Sequence, residues 1–189
     1  MKKIIRFSLA LFMALLVLGT GAKGTSAKSF TYANNKHKTY QSVQTYKINK
    51  TYKTPHSGYL KLKKIYVYHV SKAKSKYQTW VKVDLSIKNT NDKYLIDIDK
   101  YGGSKLPIYH FTKGKAKKAN FKYSDSFQTF PSSVAGGGGR TRTYDHSRWE
   151  VSKAKTGKLG KTNLRLNLWI SDWFSPEIKW HKDISVNLK

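Results

Sequence analysis

The sequence predicts an all-β fold: an antiparallel sandwich preceded by an export signal and a flexible basic arm. Three observations carry this. Val81, Val83, Leu85 and Ile87 alternate with Lys82, Asp84, Ser86 and Lys88, the period-two pattern of a strand with one buried face. The alternation recurs at Leu164, Leu166, Leu168 and Ile170, and again at Ile184, Val186 and Leu188. Beyond residue 27 no segment sustains a helical period. One polar face per strand argues against a parallel sheet covered on both sides. Roughly seven to nine short strands with turn signals between them fit a sandwich or a barrel.

Residues 1–27 read as a secretory signal. Lys2, Lys3 and Arg6 precede the apolar run Phe7 to Leu18, and small residues close it at Thr25-Ser26-Ala27. The apolar run falls short of the roughly 20 residues that a bilayer span needs. No cysteine follows it, so it lacks the lipid-bearing residue of a lipoprotein signal. The expected mature chain begins at Lys28.

Residues 28–57 read as a solvated basic arm. Tyr40, Tyr46 and Tyr52 recur at a spacing of six in Lys-Thr-Tyr or Thr-Tyr-Lys contexts, and the segment is otherwise polar. The even spacing would put all three rings on one face of an extended chain.

The sandwich domain is expected over 58–189. Leu60 and Leu62 alternate with Lys61 and Lys63, then Lys63-Lys64 shifts the phase so that Ile65 and Val67 carry it on. A slip of one residue is what a bulge or a strand break requires. Ser71 to Lys76 is a basic turn, and Asn89 to Asp92 ends the clearest strand with turn chemistry. Shorter candidates lie at 94–98, 106–112 and 119–123, and a strand of mixed character spans 141–151. Gly136 to Gly139 form a break, and 116–119 and 171–174 could each form a single turn.

The chain has 37 basic and ten acidic residues, a formal net charge of +27. Removing residues 1–27, with four basic and no acidic residues, leaves 33 basic against ten acidic, or +23. The magnitude recommended for a small soluble domain is roughly 2 to 8. Such a field attracts polyanions over about a Debye length, ~8 Å at physiological salt. Outside a cell these are anionic cell-wall polymers such as teichoic acids, anionic headgroups, acidic polysaccharides and nonspecifically bound nucleic acid. There is no cysteine, which excludes thiol catalysis, thiolate metal sites and disulfides. An exported chain without disulfides and with lysine far above arginine fits a bacterial extracellular protein.

Trp80 to Asp92, an apolar-x-apolar-x-apolar-x-apolar-x-Asn strand running into a polar turn, resembles the central strand of immunoglobulin-like, telokin-like domains. These occur in small exported Gram-positive proteins, mostly of unknown function. The resemblance covers roughly Gly58 to Asp92. It implies an immunoglobulin-like sandwich and carries over no catalytic residues. Many members are lipoproteins, from which this chain departs.

The densest local chemistry is Arg140 to Glu150. His146 and Glu150, with Arg142 and the flanking Arg140 and Arg148, form the kit of a small ribonuclease: a base, an acid and cations for phosphate. On a strand these positions share a face. The same residues equally suit a solvated face with cross-strand ion pairs. Trp169 and Trp173 could stack on a sugar ring or anchor at a membrane interface, or could close a second small core. The six histidines show no metal-ligand spacing, Asp92, Asp97 and Asp99 lack the calcium-loop pattern, and no cofactor motif is present. The expected function is a secreted or cell-surface cationic protein that binds anionic polymers electrostatically. The competing expectations are a nuclease built on His146 and Glu150 and a cationic membrane-active toxin with peripheral membrane contact.

Overall fold

The computed structural model describes residues 28–32, 35–56, 58–91, 93–97, 109–123, 133–134, 142–171 and 178–189. Strands β1 (Ser29–Tyr32) and β2 (Lys36–Thr39) form a hairpin. The first large sheet runs β3 (Ser42–Lys53), β4 (Tyr59–His69), β5 (Thr79–Asn89), β10 (Arg142–Ser152) and β8 (Lys122–Tyr123). The second runs β12 (Ile178–Leu188), β11 (Gly160–Ser171), β6 (Leu95–Asp97) and β9 (Ser133–Val134), with β7 (Tyr109–Phe111) also on β11. Every pairing among the described residues is antiparallel. The one helix among the described residues, α1 (Gly114–Lys118), is a little over a turn long.

The alternation that marks the strands also builds the core. Val81, Val83, Leu85 and Ile87 of β5 are fully buried, as are Leu164 and Leu166 of β11, and all belong to one apolar cluster shared by both sheets. That shared cluster makes the fold an antiparallel sandwich. The phase slip in β4 is a bulge. Leu62 pairs with Leu85 and Lys64 with Asp84, leaving Lys63 as the extra residue. Leu60 and Leu62 before it and Ile65 and Val67 after it therefore all reach the core. Strand β3 answers with its own irregularity between Lys47 and Lys50, where Asn49 takes a left-handed backbone (φ 50). Asparagine tolerates that region better than most side chains. The turn after β5 is held by amides: Asn89 Oδ1 accepts from the Asn91 N–H at 3.0 Å, and Asn91 Oδ1 from the Lys93 N–H at 2.8 Å.

The expected flexible arm over 28–57, with a domain starting at 58, is corrected. Most of that segment is strand, and β3 is a full-length partner of β4. The tyrosines supply the burial that a composition count misses. Tyr46, Ile48 and Tyr52 are half-buried against the main core, while β4 supplies the backbone partners. Tyr40 packs elsewhere, on a second cluster across the outer face of the first sheet. There Phe30 of the hairpin is seated among the rings of Tyr68, Trp149 and Trp80 at 4.6, 4.7 and 5.4 Å. Lys38 closes the hairpin over Trp80, its Nζ 5.5 Å from the ring centre.

Limited proteolysis of the chain starting at Lys28 should therefore spare the bonds between residues 42 and 53. Release of a stable fragment beginning near Gly58 would contradict the pairing of β3 with β4.

Candidate functional site

The expected catalytic cluster does not form an open site around its carboxylate. The β5–β10 register sets Glu150 opposite Val81, a core position, and Glu150 is only 2% exposed. Its Oε2 has no hydrogen-bond partner, and burial pushes its pKa up to about 8. At neutral pH this carboxyl is protonated and out of reach of a dissolved substrate, so the general-base role expected of Glu150 is corrected. Backbone register places Arg142, His146 and Arg148 opposite Asn89, Leu85 and Val83; their side chains, and Arg140 and Trp173 altogether, lie outside the described residues. The export signal at 1–27 lies outside them too.

Trp169 is also corrected as an open ring. It sits on β11 between β12 and β6, and is 3% exposed. At that exposure the ring offers no platform that a sugar could reach. Among the histidines, His69 is buried: it is 7% exposed, with Nδ1 3.2 Å from Ser42 Oγ.

A different place concentrates accessible charge. A cleft of about 550 Å³ opens where the turn before β5, the segment leaving α1 and the end of β10 converge. Lys76, Lys118, Lys122 and Lys153 line it with Tyr77 and Asn120, and all four lysines are exposed. Among the described lining residues there is no carboxylate.

Its walls are tied by hydroxyls rather than by apolar packing alone. Thr79 is fully buried and donates through Oγ1 to the Ala154 carbonyl at 2.8 Å, while accepting from the Thr156 N–H at 3.0 Å. Ser152, 2% exposed, donates to the Ala119 carbonyl and accepts from the Ala154 N–H at 3.2 Å. The Gln78 amide donates to the Lys153 carbonyl at 2.9 Å. Each link joins two of the three converging segments or closes the turn after β10. The α1 exit is shaped by Asn120, whose left-handed backbone (φ 49) turns the chain into β8. Trp80 Nε1 donates to the Tyr77 carbonyl at 3.1 Å and holds the remaining wall.

The sequence marked none of the four lysines as a site, since they come from three separated segments. The basic turn ending at Lys76 was the one signal. What fold and site define is an antiparallel β-sandwich bearing a lysine-lined cleft whose walls are joined by hydrogen bonds. No protein-family model matches the chain, and no curated protein matches it.

Proposed function

We propose that this chain is an exported cationic protein that attaches electrostatically to anionic polymers of the cell envelope. The observation that carries the reading is the charge imbalance. With residues 1–27 removed, ten acidic residues face 33 basic ones, so at one partner each at least 23 cations have no acidic residue to pair with. Ion pairs among the described residues include Arg165 with Asp183 (2.7 Å) across two strands and Lys82 with Asp84 (3.2 Å) along one. The signal-like order of residues 1–27 supports an extracellular address. The apolar-x-apolar strand at 80–92, resembling exported telokin-like domains, is consistent with that address. The nuclease alternative loses the carboxylate it relied on, because Glu150 is enclosed. Among the described residues no helix is long and apolar enough to cross a membrane, and α1 is too short to lie amphipathically on one.

Washing protein-loaded cell walls with rising salt tests the reading. Release at moderate salt is expected, because each phosphate that a lysine neutralises gives up a counterion. Retention at about 1 M, where the Debye length is ~3 Å, would reject it.

A further inference from the structure

We infer that the cleft formed by Lys76, Lys118, Lys122 and Lys153 is a binding site for a base-free phosphodiester chain. This rests on the envelope-binding reading above and gives it an address on the molecule. Three features point there. Four exposed ammonium groups from three chain segments converge on one concavity, and among the described lining residues no carboxylate opposes them. The nearest acidic residue along β10, Glu150, is buried and neutral at pH 7, so it does not cancel their field. The walls are fixed by the buried hydroxyls of Thr79 and Ser152, so the lysines are anchored to a frame that needs no ordering on binding.

The chemistry of the cations narrows the ligand. Lysine presents a compact point charge on a flexible stem and needs no paired, coplanar acceptors, which suits singly charged diester oxygens spaced along a chain. The cleft's volume, about 550 Å³, exceeds what one phosphate fills. The one ring among its described lining residues, Tyr77, packs edge-on to Trp80 at 6.4 Å and lies under Lys76 at 5.2 Å. Grooves for single-stranded nucleic acid stack bases on open aromatic faces, and the one described ring here is half-buried. A polyol phosphate backbone, with charge but no base, matches what remains.

The test titrates synthetic poly(glycerol phosphate) into the chain starting at Lys28. A variant with Lys76, Lys118, Lys122 and Lys153 all replaced by serine is compared with a control in which Lys61, Lys88, Lys93 and Lys161, all exposed and off the cleft, are replaced by serine. Both lose the same charge. The cleft variant should bind at least tenfold more weakly, and its slope of log K against log salt should fall by roughly 3, about 0.7 for each phosphate no longer neutralised. The control should stay near the parent. Equal loss of affinity in the two variants overturns the cleft while leaving diffuse electrostatic attachment standing. Failure of the unmodified chain to bind any polyanion at physiological salt overturns both. Tighter binding of a single-stranded oligonucleotide of matched charge overturns the base-free assignment. Circular dichroism of both variants must match the parent, which substitutions at exposed lysines permit.

Discussion

Glu150→Gln should stabilise the protein at neutral pH and flatten part of its pH dependence. The carboxyl titrates at about 8 in the folded state against an ordinary value of 4.5, because it is buried without a partner for Oε2. Below pH 4.5 both folded and unfolded chains hold the proton and the group contributes no difference. Between 4.5 and about 8 the unfolded chain releases the proton while the folded chain keeps it. Stability therefore falls as pH rises, by about 1.4 kcal/mol per unit, and levels off above the folded value. At pH 7 the accumulated loss is about 3 kcal/mol. Glutamine keeps the shape and stays neutral throughout, so the loss disappears. Urea unfolding of both proteins at pH 4.5, 6 and 8 should show curves that meet at low pH and diverge upward. Parallel curves would mean that this carboxyl is ionised in the folded state.

Trp80→Ala should cost about 3 to 5 kcal/mol, the range for deleting a large buried aromatic. Trp80 is 2% exposed and centres the outer-face cluster, with the rings of Tyr32, Phe30 and Trp149 at 5.0, 5.4 and 6.1 Å. It also donates to the Tyr77 carbonyl. The hairpin β1–β2 forms its own two-stranded sheet, so its grip on the body depends heavily on these rings. The variant should accordingly become cleavable within 28–41 before the rest of the fold opens. A change below about 1 kcal/mol would show that the site collapses around the gap.

The strands that pack one face inward were the legible ones. Val81 to Ile87 named its own buried side, and Lys63-Lys64 announced the bulge that the structure places there. Residues whose burial depends on a partner were not legible. Tyr40, Tyr46 and Tyr52 look like solvated tyrosines until β4 and the aromatic cluster are beside them. Trp80 and Trp149 occupy the outer face of their strands, opposite the main core, and are buried because a hairpin from the chain's start covers them. Glu150 seemed to offer its carboxylate to solvent, and only the register with Val81 turns it inward. The cleft lysines lie up to 77 residues apart, from Lys76 to Lys153, too far for any local pattern to join them.

Strands β3 and β12 close their sheets on the outside, each with one rail of backbone donors and acceptors facing away from its neighbour. Long open rails are where β-rich proteins fuse with one another. Here Lys47, Lys50 and Lys53 stud the first and Lys179 and Lys182 the second, and the kink at Asn49 interrupts its straightness. Two copies approaching rail to rail must bring these ammonium groups together. The surplus of lysine thus opposes edge-to-edge polymerisation of a disulfide-free, strand-built protein.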